Sequence, residues 1–520
     1  MKKLLLASIG VLTYVMSISQ TIEINDVKGN KFNGVAAIMN DKGESVSGYY
    51  TYYMVEKGDK GMRTLEFSIV DKGVTKVTKT QIEMHKNANL NNTVFNGKYF
   101  LVSYDDPKNK EIVVTVLDLE GNVFAKESVS AEKARAANSK VYPAANGDGF
   151  YMVRPAMVKN KIKGLYLEKI SNKLETVWSV EDMIEKGFVD IATLVNNDDR
   201  LVVWREHGLG IKKLKPQIVC YDAKTGKPIF SRDGYDGEST ILYNQIRIDE
   251  SNNVLIGGAY VDGEKYKTVN NTGIYLLKLA PDGKELFYTK ILTKEQIQPV
   301  LKEISTGIAL GSKDKVWIED LIIDGDEIII ISEMFRKNFN MTPMAVQTPR
   351  DLITGKYIGD IDYRDGNGKA QKVTFEIMDY ILFSFTDKGD LEEIIPIKKD
   401  DYNKLTVYYP YVGLYGMAMA QVVEQLGWFD YGFTTTNSKG EKIMVCSNNS
   451  EARKPQVFTY KLKGDQARTE INLKQAGKID LEKGKVSYFK SMRNENGRIA
   501  VAYYQRKLKR ITINLESIEN

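Results

Sequence analysis

Residues 251–291 read SNNVLIGGAYVDGEKYKTVNNTGIYLLKLAPDGKELFYTKI, and their punctuation decides the fold. Three runs rich in β-branched and aromatic residues, VLIGGAY, GIYLLKLA and KELFYTKI, read as consecutive strands. Asp282-Gly283 supplies the tight turn between the last two, because a hairpin turn needs residues that tolerate positive φ.

The same unit recurs on both sides of this stretch. Before it stand VAAIMNDKGESVSGYYTYYM with MRTLEFSIVDKGVTKVTKT, KYFLVSYDD with EIVVTVLDLEGNVFAKESV, FYMVRPAM with GLYLEKISNKLETVWSV, and RLVVWREHG with QIVCYDAKTGKPIFSRD. After it come EIIIISEMF with YILFSFTDKGDLEEIIPI, EKIMVCSNN with QVFTYKLKGDQARTEINL, and GRIAVAYYQRK with ITINLES. Equivalent turns are about fifty residues apart in the first five units, a period that with four short strands per unit marks a β-propeller. The eighth unit is one strand short, and residues 21–26 (TIEIND) form a spare strand at the other end of the chain. We therefore expect an all-β fold, a β-propeller of eight four-stranded blades closed by an N-terminal strand that covers the last open edge. Seven blades are the alternative count. The repeats resemble secreted bacterial β-propellers of uncharacterised function, a resemblance that implies the fold and brings no catalytic residue with it.

The chain opens with Met1-Lys2-Lys3, an apolar run from Leu4 to Met16, and Ser17-Ile18-Ser19 before Gln20. A basic start, a short apolar core and small residues at the cleavage positions predict a signal peptide over 1–19 and export to the periplasm or the medium. The run is too short to span a bilayer, which needs ~20 apolar residues. Residues 20–520 are expected to form one propeller domain. Of 73 basic residues, loss of Lys2 and Lys3 leaves 71 against 68 acidic ones, a balance that speaks against nucleic acid as a partner. Cys220 and Cys446 sit in strands of distant units and are expected as buried free thiols.

Three long insertions mark where a site belongs: 292–315, 337–379 and 398–428. If strands run A to D outward, tight turns join A to B and C to D on one face. All three insertions then fall on the other face, and loops of this length in a compact fold are usually functional. The first carries Ile297, Leu301 and Ile304 at helical spacing. The third contains TVYYPYVGLYGMAMAQVVEQLGW, whose Tyr408, Tyr409, Tyr411 and Tyr415, with Trp428, are the expected ligand-binding residues, since such rings are enriched at interfaces. The second holds Asp360, Asp362 and Asp365, whose spacing misses the EF-hand pattern, so no metal is expected there.

Basic residues recur at Arg154, Lys159, Lys161 and Lys163, at Lys212, Lys213 and Lys215, and at Arg506, Lys507, Lys509 and Arg510. They read as solubility and edge protection sooner than as an anion-binding face. The two histidines, His85 and His207, belong to no zinc or nucleophile motif, and there is no P-loop, dinucleotide fingerprint or CxxC, so no cofactor and no catalytic residue are assigned. The expectation is an exported binding module for a protein or a glycan, working through the face that bears the insertions. The alternative is a carbohydrate-active enzyme using paired Asp or Glu there, which requires two carboxylates a few ångströms apart in a deep pocket.

Overall fold

The computed structural model describes residues 20–519 apart from 28–31, 41–44, 56–60, 131–139, 159–160, 184–187, 209–213, 265–271, 305–313, 340–371, 401, 409–419, 421–422, 425–426, 449–454, 465, 472 and 474–485. Among the described residues, thirty-three strands form eight antiparallel sheets, seven laid down in chain order and one that takes the first strand of the chain at its edge. The fold is an eight-bladed β-propeller. Blades one to seven cover residues 32–85, 89–130, 140–183, 188–233, 239–292, 314–408 and 431–470, and blade eight covers 488–517 with the first strand of the chain.

Two compact units share these blades. Residues 1–86, 119–122 and 431–520 form unit one, with blades one, seven and eight; residues 87–118 and 123–430 form unit two, with blades two to six.

In unit one, the N-terminal strand Thr21–Ile24 pairs antiparallel with Arg510–Ser517, from Thr21↔Asn514 to Ile24↔Ile511, and supplies the outermost strand of blade eight. Alternation buries Ile24 among Ala500, Ala502, Ile511 and Ile513. The Tyr504 hydroxyl donates to the Val27 carbonyl (3.0 Å) and so secures the chain just past that strand.

In unit two, neighbouring blades meet through a repeated joint at the C–D turn. The turn residue adopts positive φ in Gly226 (70°), Gly283 (88°) and Gly389 (84°). A Cβ there would fall 2.6, 2.5 and 2.4 Å from ring atoms of Trp178, Phe230 and Phe287, each on the outermost strand of the preceding blade. Glycine is required twice over, for its dihedral and for its missing side chain. In blade three the turn residue is Leu174 (φ 68°), and the ring's place on the preceding blade is held by Ala125. Both pack on Leu101, Val116, Phe150 and Ile170, so the volume lost on one side of the joint is returned on the other.

These rings point inward because each outermost strand carries a bulge at its second residue: Val177, Ile229 and Leu286 are the extra residues and stand exposed. Cys220 and Cys446 are buried free thiols, as expected. No helix among the described residues is long and apolar enough to cross a membrane.

Candidate functional site at the extended end of blade six

Blade six departs from its neighbours. Its second and third strands, Glu327–Phe339 and Lys372–Thr386, are 13 and 15 residues long. The half of the third strand nearest the blade body pairs with Leu391–Ile397, while its other half pairs with a fifth strand, Asn403–Tyr408, from Ile377↔Asn403 to Lys372↔Tyr408. The two strands thus stack end to end along one partner. This corrects part of the sequence reading: Lys337 to Phe339, Lys372 to Asp379 and Asn403 to Tyr408, expected within loops, are strand.

The step between the stacked strands is fastened by buried polar groups. The register shifts between Glu333 and Phe335, where Met378 and Asp379 stand opposite Met334. That bulge frees Asp379 to accept from the Lys399 backbone N–H (2.8 Å) and from the Tyr402 hydroxyl (2.9 Å). Burial raises the Asp379 carboxyl above its ordinary value against these hydrogen bonds. The Lys399 side chain runs inward, its Nζ 3.0 Å from Asp430 Oδ2, 3.2 Å from Glu333 Oε2 and 4.1 Å from the centre of the Tyr380 ring. The Asp430 backbone N–H donates to the same Glu333 oxygen (3.3 Å), and Asn403 Nδ2 donates to the Trp428 carbonyl (3.1 Å). One buried ammonium therefore ties the second strand, the step and the exit segment together.

Beside the clamp lies an aromatic cluster of Trp317, Phe335, Phe375 and Phe429 with Ile377, Ala420 and Val423. Trp317 stacks on Phe429 with ring centres 6.1 Å apart, and Phe335 on Phe375 at 4.9 Å. Glu319 is the bulged residue of the innermost strand, between Ile318↔Ser332 and Asp320↔Ile331, and is 7% exposed. Burial, then the carboxyls of Glu424 and Glu333, holds it protonated well above the ordinary carboxyl range, with Lys399 opposing. Glu424 is exposed as a residue, but its carboxyl lies against Glu319 and the Trp317 indole; burial of that end raises it, and hydrogen bonds from both neighbours offset part of the rise.

Glu319 Oε1, Asp430 Oδ1 and Asn403 Oδ1 are buried acceptors without a hydrogen-bond partner among the described residues. Such a set can hold a proton or accept from a water molecule. Among the described residues, no three His, Cys, Asp or Glu side chains are placed to hold a metal ion.

The expected ligand-binding residues fare differently. Tyr408 ends the fifth strand and only its backbone is described; Tyr409, Tyr411 and Tyr415 lie outside the described residues. Trp428 is half-buried against the aromatic cluster. Asp360, Asp362 and Asp365 also lie outside the described residues. In the first insertion the helical spacing is realised as the helix Gln298–Ile304, with Ile297 and Leu301 buried.

His207, read on a loop, belongs to the strand Arg200–Gly208 opposite Lys215, and burial followed by the Arg205 charge pushes its imidazole down. Of the basic residues, Arg154 pairs with Glu168 (Nε–Oε2 2.8 Å), Lys215 with Glu264 (2.9 Å) and Arg510 with Glu23 (2.9 Å). Lys159, Lys212 and Lys213 lie outside the described residues, as do the side chains of Lys161 and Lys163. The sequence reading missed Glu319, Glu333, Asp379 and Lys399. The signal for the three acids was present as carboxylates inside apolar runs, in VWIEDLI, IIISEMF and FEIMDYIL; Lys399 carried none.

The fold and this site define an all-β propeller whose sixth blade carries an added, internally fastened storey. The chain belongs to the family described as "Family of unknown function (DUF6770)", whose model matches residues 1–519. Comparison with curated proteins gives no match. Among solved structures, the chain is similar to the WD40 domain of SCAP from fission yeast, at 9% identity over 96% of this chain and 99% of that one, with a TM-score of 0.41. It is also similar to prolyl oligopeptidase B from Galerina marginata (8% identity, 92% of this chain and 55% of that one, TM-score 0.42). A third likeness is to the propeller domain of the Trilobed protease from Pyrococcus furiosus (10%, 84% and 96%, 0.35). Likenesses at these scores carry nothing about function.

Proposed function

We propose that this protein is an exported binding module whose working surface is the extended end of blade six, with a protein or a glycan as its ligand. The observation that carries the reading is the fastening of the added storey. A lysine and two carboxylates are buried to hold the step between two stacked strands, although a buried ion pair contributes little net stability and serves best to fix one arrangement. The tyrosine-rich run then leaves directly from the end of the fifth strand. A rigid base next in sequence to a run of aromatic residues lowers the ordering cost of binding.

The catalytic alternative draws less support. Glu319 and Glu424 are paired, but a carboxyl pair in mutual contact is closer than the ~5 Å separation that glycoside cleavage requires. The test is a glycan array and an envelope-protein panel probed with the mature chain and with a Tyr409→Ser/Tyr411→Ser/Tyr415→Ser triple variant. Binding by the former and its loss in the latter at unchanged melting temperature is expected; binding that survives the triple change removes this surface from consideration. Mass spectrometry of the exported product should find Gln20 at its N-terminus.

A further inference from the structure

On the outer strands of unit two, a cleft of about 680 Å³ opens between blades four and five. It is lined by the strand Pro228–Asp233, the turn that follows it, and the strand Glu285–Leu292. Its walls repeat one arrangement. Arg232 pairs with Glu285 (2.7 Å) and lies 5.8 Å from the centre of the Tyr288 ring. Lys290 pairs with Asp236 (2.6 Å) and lies 5.0 Å from Tyr288 and 5.6 Å from Tyr260. In each, a cation is held between a carboxylate and a tyrosine face, where charge and ring quadrupole attract it together.

A third set has no cation between its acid and its ring among the described residues. The Tyr235 ring is 37% exposed on the cleft, its hydroxyl donating to the Gly237 carbonyl (2.5 Å). The Glu238 carboxylate has no hydrogen-bond or ion-pair partner among the described residues, and Asp233 accepts the Gln217 amide (2.8 Å) on Oδ1 while lying within reach of the Arg205 and Lys215 charges. The turn is stiff, because Asp236 Oδ1 accepts the backbone N–H groups of both Glu238 (2.9 Å) and Ser239 (2.7 Å). The cleft thus has four carboxylates against two cations, an excess of negative charge that repels anionic ligands.

We propose that this cleft binds a lysine or arginine side chain of a partner polypeptide, with Glu238 and Asp233 pairing the cation and Tyr235 covering it. This proposal does not rest on the role of blade six, and its variants lie outside that surface.

The test is isothermal titration of the mature chain with a blocked hexapeptide of alternating glycine and arginine, with the same peptide carrying citrulline for arginine, and with cellohexaose. Binding of the arginine peptide alone, weakened at least about fivefold by Glu238→Gln and by Tyr235→Ala and by added salt, is expected. Both positions are exposed, and an unchanged melting temperature verifies that the variants fold. Equal binding of the citrulline peptide, binding of cellohexaose instead, unaltered binding by both variants, or no binding at millimolar peptide would each overturn the assignment.

Discussion

Lys399 is the residue on which the added storey of blade six depends. Its side chain is 3% exposed, and the two carboxylates it pairs are as deeply buried. Lys399→Met keeps the length and removes the charge, leaving Glu333 and Asp430 without a cation. The expected loss is ~3–5 kcal/mol in denaturant unfolding, the cost of an uncompensated buried charge. Glu319 gives a pH signature of the opposite kind. Its carboxyl is neutral in the fold and ionises near 4.5 when free. Its contribution is therefore complete below about pH 4.5 and is lost as pH rises toward its elevated native value. Wild-type stability should fall with pH relative to Glu319→Gln, which stays neutral throughout; equal slopes between pH 4.5 and 8 would show that Glu319 ionises freely in the fold. The pairing of such residues was not legible in the sequence, because alternation identifies an acid in an apolar strand without identifying what neutralises it.

Elements show where the sequence is informative and where it stops. Asp282-Gly283 and Asp387-Lys388-Gly389 announce their turns through residue types that positive φ demands. The Leu174 turn carries no such sign, and only packing on Leu101 and Val116 explains a leucine at φ 68°. The joint predicts a specific asymmetry. Gly226→Ala forces a Cβ to 2.6 Å from the Trp178 ring at a strained dihedral and should cost ~1–3 kcal/mol, read as a drop in melting temperature. Ala125→Phe should be costly alone, and adding Leu174→Gly should recover part of that loss, because the pair then reproduces the glycine–ring joint of blades four to six. Simple additivity in that double-mutant cycle would mean the two positions are not coupled. Bulges were likewise unreadable: one extra residue in Glu285–Leu292 turns Leu286 outward and Phe287 inward, against plain alternation.

At the scale of the whole molecule, the count of eight blades was legible from turn spacing, and the closing strand from an inventory one strand short. The extended storey was not, since the strands of blade six continue into segments whose composition reads as loop. Closure itself can be tested. Deleting residues 20–27 removes the strand Thr21–Ile24, uncovers the edge of Arg510–Ser517 and exposes Ile511 and Ile513. That variant should melt lower and associate through the open edge, measured by light scattering on heating. A variant that stays monomeric with an unchanged melting temperature would mean the strand is dispensable. The same pairing also sets how the protein answers to force. The ladder starts at Thr21↔Asn514, and the Leu515 N–H reaches the Gln20 carbonyl (3.0 Å), so both chain ends leave blade eight from one end of the ladder. Tension between them opens the rungs one after another, as a zip, where strands pulled from opposite ends would have to shear all at once. Anchored by a single terminus the blade carries no load, and anchored by both it is the first to yield.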